Sequence, residues 1–424
     1  MRRALSILAI AAAVGCGDDG TTGSSAGGGS TQNSTGTAAG GQAGLVCDAT
    51  GISKGPWALH VDETSARVRW EACAPGSEGA IRITPEEGGE EQLVDSVESE
   101  FELTKTAYPL GDAPPDWAGI YYMHQASLSG LKPGTCYRYS LVADAERQGR
   151  FCTARPSGEP FTFMAIGDTN PGLGVTDDIL AAALPMNPDF TIHGGDIQYY
   201  SSLLETWASW FPIMQPMLSQ GAFFPAIGNH EIENDEELSA YALRFFGEAG
   251  FDGAETYHQV HSGGVWFFTV NTEEPISQGS PQAIWLQQGL EAASKRSDYR
   301  FSVVYFHRPL LTCGDVNDDP AAFDFLGPVF EETNVLFVLQ AHMHGYERFE
   351  LGAGPTYLTS GGGGGVLSDV DLAIDREYCD SRVASGAFYH AIVFEVDSAE
   401  VRGTVIDHEG TVQDTFARSL APLP

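Results

Sequence analysis

The chain has 424 residues, 42% hydrophobic, 11% aromatic and 19% charged, so at about 150 residues per domain it holds two or three packed cores and is not a solvated, disordered polypeptide. Its 22 Lys and Arg stand against 57 Asp and Glu, a formal charge of −35, and such a surface repels nucleic-acid backbones and anionic headgroups. An anionic substrate would have to be drawn in by something other than the surface, and a buried pair of metal cations is the natural candidate.

From the start of the chain, Arg2 and Arg3 precede an apolar run from Ala4 to Val14. That run is too short for the about 20 residues of a spanning helix but suits the core of an export signal. It closes on Ala13-Val14-Gly15-Cys16, which resembles a bacterial lipobox with Ala where Leu is usual. Residues 1–16 are therefore expected to be a signal, Cys16 to be lipidated, and the protein to be exported as a periplasmic or cell-surface lipoprotein, or secreted if cleavage is ordinary. Residues 17–46, dominated by Gly, Ser, Thr and Ala, read as a flexible tether, so the membrane is met only through the anchor. After Cys16, six cysteines remain: Cys47, Cys73, Cys136, Cys152, Cys313 and Cys379. An even set in an exported chain reads as disulfides, with Cys136 and Cys152 the favoured pair.

Residues 47–155 read as short alternating strands. Ala66-Arg67-Val68-Arg69-Trp70 places Val68 on one face and both arginines on the other, the pattern of a half-buried sheet. The run Leu128 to Tyr139, with its Leu131-Lys132-Pro133-Gly134 turn before Tyr137, resembles the fibronectin type III pattern and implies a β-sandwich. From residue 156 to the C-terminus the reading changes to α/β. Buried strands are expected at Phe161–Ile166, Asp189–His193, Phe223–Ile227, Val265–Val270, Phe301–Phe306 and Val335–Leu339, with helices at Thr176–Leu184, Ser202–Leu218 and Pro281–Lys295. Tyr357–Thr359, Ala391–Val396 and Val401–Ile406 are expected to form a second sheet that completes a sandwich flanked by helices, αββα.

The chemistry sits at the strand ends. Gly167-Asp168-Thr169-Asn170, Gly195-Asp196-Ile197-Gln198-Tyr199, Gly228-Asn229-His230-Glu231, His307 and His342-Met343-His344 each lie at the end of an expected strand, most of them directly after it. Any one of them is ordinary turn chemistry, but loops at the carboxyl ends of α/β strands converge on one crevice. Five such segments carrying oxygen and imidazole donors point to a centre of two metal ions, of a hard-to-borderline type.

This set resembles the calcineurin-like metallophosphoesterases and, through Tyr199 and His344-Gly345-Tyr346-Glu347-Arg348, the purple acid phosphatases among them. The resemblance runs from about Ser53 to the C-terminus. It implies that Asp168, Tyr199 and His344 hold Fe(III), that Asn229, His307 and His342 hold Zn, Fe or Mn in the divalent state, and that Asp196 bridges the two. It further implies in-line attack of a metal-bound hydroxide on a phosphomonoester, with His230 contacting phosphate and protonating the leaving group. Phenol ionises only near pH 10, so phenolate ligation by Tyr199 calls for a strongly acidic cation such as Fe(III).

Some positions depart from the family. Asn170 stands where purple acid phosphatases usually carry Gly, and is read as a substrate or metal contact or as a turn residue; Arg308 is read as a candidate phosphate contact; Ala341 replaces a common Gly. His258 and His261 lie outside any motif, and Gly361 to Gly365 reads as a tight turn at the site's rim, since it lacks the Lys-Ser/Thr ending of a phosphate loop. Two other readings compete: a phosphodiesterase on the same dimetal core, and a cell-surface binding protein with an idle second domain.

Overall fold

The computed structural model describes residues 47–422, apart from 77–78, 104–106, 109–110, 113–118, 200–203, 233–241 and 248–255. Cys16 and the tether lie outside the described residues. Strands come first in the chain: β1 (Ile52–Leu59), β2 (Ser65–Ala72), β3 (Ala80–Pro85), β4 (Gln92–Leu103), β5 (Ala107–Tyr108), β6 (Gly111–Asp112), β7 (Gly119–Ser129), β8 (Cys136–Leu141) and β9 (Gln148–Cys152). The α/β part follows with β10 (Phe161–Ile166), α1 (Thr176–Ala183), β11 (Phe190–His193), α2 (Leu204–Gln220), β12 (Ala222–Pro225), α3 (Leu243–Phe246), β13 (His258–Ser262), β14 (Val265–Thr269), α4 (Pro281–Ser294) and β15 (Phe301–Tyr305). It ends with α5 (Pro320–Glu332), β16 (Val335–Gln340), β17 (Tyr346–Glu350), β18 (Thr356–Ser360), β19 (Arg382–Gly386), β20 (His390–Val396), β21 (Glu400–Asp407) and β22 (Val412–Ser419).

Two sheets organise the α/β part. One runs β22-β21-β20-β10-β11-β12 and continues through β1 into the N-terminal strands; the other runs β13-β14-β15-β16-β18-β17-β19. The expected late strands thus divide: β18 belongs to the second sheet, whereas β20 and β21 extend the first by pairing antiparallel beside β10. Hydrophobic alternation sets the layers. Phe163 and Ala165 of β10 face the opposite sheet while Met164 and Ile166 face the helices, because successive side chains on a strand point to opposite faces. Between the sheets Phe163 stacks on Phe394 at 4.5 Å and meets Phe267 edge-on at 5.0 Å. Trp207, Trp210 and Phe211 of α2 cover the outer face of the first sheet, and Leu286, Leu290, Leu326 and Phe330 of α4 and α5 cover that of the second. Each such side chain contributes about 1.5–3 kcal/mol by leaving water.

Helices α4 and α5 start on matching signals: Ser280 and Asp319 accept the backbone N–H of Ala283 and Ala322, and Pro281 and Pro320 take the first helical position, where no N–H is needed. Helix α5 is not among the helices expected from the sequence; Pro320 starts it and Pro328 is carried inside it. Among the described residues no helix is long and apolar enough to cross a membrane.

Two sequence expectations change or sharpen in the N-terminal strands. Arg69 is not on a solvated face: it is buried, and its guanidinium donates to Gln125 Oε1 and to the carbonyls of Arg244, Phe245 and Gly247, so the 243–247 segment covers the second face of β2. Tyr137 accepts the N–H of Lys132 through its hydroxyl at 2.9 Å, which ties the Leu-Lys-Pro-Gly turn to β8. All six cysteines pair, as Cys47–Cys73, Cys136–Cys152 and Cys313–Cys379; the second joins directly opposed residues of β8 and β9.

Candidate metal centre

β10, β11 and β12 run parallel in the first sheet, as do β14, β15, β16 and β18 in the second. Their carboxyl ends deliver the donors to one place. Tyr199 Oη lies 2.9 Å from Asp168 Oδ1 and 2.7 Å from His344 Nε2, and His344 Nε2 lies 3.3 Å from Asp168 Oδ1. In a second set, His307 Nε2 lies 3.1 Å from Asn229 Oδ1, 3.1 Å from His342 Nδ1 and 3.3 Å from Asp196 Oδ2. Two ligand atoms each about 2.1 Å from one cation, at right angles, are about 3 Å apart, so both sets have the spacing of coordination edges.

The backbone is bent to achieve this. Asp168, Asp196 and His342 have φ of 58°, 49° and 67°, three of the six described non-glycine residues with positive φ. That conformation costs an L-residue about 1–3 kcal/mol and persists where the surroundings over-determine it. Here Glu231 does so: it is fully buried, and its carboxylate accepts the N–H groups of Asp196, Ile197 and Gly228, fastening the β11 loop to the β12 loop. Asp168 Oδ2 accepts the N–H of His342, fastening the first sheet's loop to the second's. Ring orientation is set as well. His307 Nδ1 faces Gly194 O at 3.0 Å and His344 Nδ1 faces Val366 O at 2.7 Å, which places the proton there and leaves each Nε2 lone pair turned to its donor set.

Burial and the two carboxylates together set the charge balance of these donors. Burial alone would depress the imidazoles of His307 and His344, yet Asp196 and Asp168 bring both up to about 9. Tyr199 is held well above the usual phenol range by burial and then by Asp168 and Asp196. His342 falls to about 4 through burial and the neighbouring His307. Two histidines that would take protons above neutrality, beside two buried carboxylates, mark a site that demands cations; metal ions meet that demand, so the donor set fits them.

The remaining expected residues fall around this core. His230 shares a 3₁₀ turn with Asn229; its Nε2 is 3.9 Å from Asp196 Oδ2 and its ring lies 4.3 Å from that of Tyr199. The adjacent Glu231 carboxylate is committed to backbone N–H groups. Asn170 accepts the N–H of Leu173 through its carbonyl, a turn role. Arg308 is held by Glu273, with Nε and Nη2 at 2.6 and 2.8 Å, and its Nη1 is 3.1 Å from His342 Nε2. His258 bonds to Tyr305 and His261 pairs with Asp62, both outside the donor sets. Ala341 is accommodated because its Cβ packs against Gly167 and Gly194, and a Cβ on Gly365 would stand 2.7 Å from the His344 ring. Sequence reading missed the supporting roles of Glu231 and Glu347 and passed over His193, which bonds to Thr169 Oγ1 under the site. Glu231 carried a signal, a carboxylate inside a run otherwise made of donors.

Residues 161–346 match the family model described as calcineurin-like phosphoesterase. This stretch is similar to calcineurin-like phosphoesterases. The chain's relatives include probable purple acid phosphatase 20 of Arabidopsis thaliana, 24% identical, with the match covering 56% of this chain and 60% of that protein. An uncharacterized protein of Mycobacterium tuberculosis is 28% identical over 53% of this chain and 50% of its own length. The matches thus span about half to three fifths of these curated relatives. Among solved structures, the purple acid phosphatase PPD1 from yellow lupin seeds has a TM-score of 0.68 at 17% identity, covering 86% of this chain and 74% of that one. PhoD has a TM-score of 0.57 at 12% identity, covering 87% and 92%. The chain therefore has a purple acid phosphatase-like fold, and Asp196, His307 and His342 lie close enough together to hold a metal ion.

Proposed function

We propose that the chain is an exported dimetal phosphatase that hydrolyses phosphomonoesters, tethered to the cell envelope through Cys16 and residues 17–46. In this reading residues 47–155 are a fibronectin III-like module beside a catalytic region, 156–424. The observation that carries it is the pair of donor sets with coordination-edge spacing, with the Asp196 carboxylate lying against His307 and accepting the N–H of His230.

Asp168, Tyr199 and His344 would hold one cation, and Asn229, His307 and His342 the other, with Asp196 shared between them. The phenol of Tyr199, pushed upward by burial and then by Asp168 and Asp196, calls for a strongly acidic cation, so Fe(III) is favoured in the first position, with Zn, Fe or Mn(II) in the second. Bound there, the metals would supply Lewis acidity toward phosphoryl oxygens and a water of lowered pKa. The chain supplies the rest. Glu231 and Asp168 hold the loops at fixed spacing, and the carbonyls of Gly194 and Val366 keep the two Nε2 lone pairs directed inward. His230 Nε2, at the margin of both sets, gives its proton to the leaving oxygen.

The test is the relative hydrolysis of an aryl phosphomonoester and the matching diester by iron-loaded protein beginning after Cys16, at mildly acidic pH. Preference for the monoester is expected. Preference for the diester would replace this reading with a phosphodiesterase on the same donors, and turnover of neither with metal content near zero would leave a binding protein.

A further inference from the structure

Next to the donor sets, a buried chain of hydrogen bonds joins two of their loops. His193 ends β11 and Thr169 follows Asp168 in the loop after β10; both are fully buried. Gly195 donates its N–H to His193 Nδ1 at 3.2 Å, so that nitrogen is an acceptor. Burial outweighs the pull of Asp168 and Asp196 and lowers the ring to about 3, so the ring is neutral and its one proton sits on Nε2. Nε2 lies 3.0 Å from Thr169 Oγ1 and donates to it, and the hydroxyl passes its own proton toward Ile197 O. Trp210 of α2 donates to the same carbonyl at 2.6 Å. The chain therefore has one direction, from Gly195 through His193 and Thr169 to Ile197, with both ring nitrogens and the hydroxyl in use.

Its two ends stand beside donors of the first set. Thr169 adjoins Asp168, and Ile197 lies between Asp196 and Tyr199; Asp168 Oδ1 and Tyr199 Oη are 2.9 Å apart. Backbone bonds from Asp168 N to Gly195 O and from Thr169 N to Asp196 O, both 3.1 Å, already align the two loops. The side-chain chain carries that tie one residue further, to Ile197, and so toward Tyr199. The second set depends on other ties. Glu231 accepts the N–H of Gly228, next to Asn229, together with those of Asp196 and Ile197, and Gly194 O sets the ring of His307. Removing the Thr169 hydroxyl would leave the His193 N–H buried without an acceptor, a cost met by movement of the loops it joins. A neutral ring makes the tie without adding charge beside the cations.

Resting on the dimetal reading above, we propose that His193 and Thr169 are positioning residues for the first donor set: their hydrogen-bond chain holds Asp168 and Tyr199 at the separation the first cation needs, and leaves the donors of the second cation to Glu231. Loss of the chain therefore acts on one metal position and spares the other, which a general loosening of the core would not do.

The experiment loads the full chain with Fe(III) and Zn(II) and follows two quantities under challenge by a chelator. The visible absorption of an iron(III)–phenolate bond, which Tyr199→Phe removes, reports the first position, and zinc content by elemental analysis reports the second. Thr169→Val deletes the hydroxyl at nearly constant shape, and His193→Phe deletes both ring nitrogens. Each is expected to release iron about tenfold faster or more, with zinc release within about twofold of wild type. The double variant should release iron no faster than the weaker-binding single variant, because the two side chains act as one unit. Thr169→Ser keeps the hydroxyl and should retain iron as the wild type does. Ile179→Ala, in the same core layer as Trp210, should lower the urea midpoint and leave both metals in place. Iron and zinc lost in step in the variants, iron retained in both, or no rescue by Thr169→Ser would overturn the positioning role while leaving the dimetal reading standing. A wild type without the iron–phenolate absorption would overturn both.

Discussion

His230 and Asn229 are neighbours in one turn, yet their side chains have different work, and that difference can be measured. Asn229 Oδ1 points into a donor set, whereas His230 touches Tyr199 and lies 3.9 Å from Asp196. Removing a proton donor slows ester hydrolysis in proportion to how much the leaving oxygen needs the proton. His230→Ala is therefore expected to lower kcat about 10²-fold or more for an alkyl phosphate, less for a nitrophenyl phosphate, with metal content by elemental analysis unchanged. Equal losses on the two esters would sink the acid role. Asp196→Asn has the opposite signature. It removes the carboxylate that lies against His307 and accepts from His230, so one or both metals should be lost and activity should fall at least about 100-fold on every ester. Full metal content in that variant would argue against the shared position.

At the scale of elements, the fold was most legible where period and composition agreed. The strands β10, β14 and β16 are largely buried apolar runs, and they appear within a residue or so of the expected bounds. The candidate donors could be read for the same reason, since each sits one to six residues past a strand end. What could not be read is long-range. No local pattern says that β20 returns to pair with β10, or that Glu347, inside β17, is fully buried and accepts from Thr312 Oγ1, Cys313 N and Arg382. Glu347 joins the loop after β15, which starts with His307, to the strand that follows His344. The disulfide Cys313–Cys379 reinforces that same loop across a sequence separation of 66. Closing a loop of that length removes about 4 kcal/mol of chain entropy from the unfolded state. The Cys313→Ser/Cys379→Ser variant is expected to lose about that much in urea unfolding, and to bind its second metal more weakly because His307 is no longer braced from that side. A variant with unchanged midpoint and unchanged metal affinity would show that Glu347 alone suffices.

Across the whole molecule, buried charge joins regions far apart in sequence. Tyr346 and Arg348 of β17 both reach Asp414 of β22 at 2.8 Å, so one carboxylate links the two sheets. Deeper still, Glu71 of β2 pairs with Lys54 of β1 and, at 2.9 Å, with Arg244 of α3, all of them buried, with Arg69 alongside on β2. Two buried cations share this one carboxylate, so both depend on Glu71. Burial works to raise its carboxyl, but Lys54 and Arg244 outweigh burial and hold it below the ordinary value of 4.5. A carboxyl depressed in the folded state stabilises the fold above the ordinary value, and that contribution disappears as pH falls through the folded one. The protein should therefore lose stability on acidification below about pH 4, where the unfolded chain takes up the proton first. Glu71→Gln should cost about 3–5 kcal/mol at pH 7, because Lys54 and Arg244 then stay buried without their partner, and its stability should fall less steeply between pH 5 and pH 3, roughly the window of that titration. Urea melts of both proteins across that range decide the matter. Parallel pH profiles would assign the acid sensitivity to other carboxylates, whereas a flattened profile in the variant would place the acid limit of this fold at the contact between its first strands and α3.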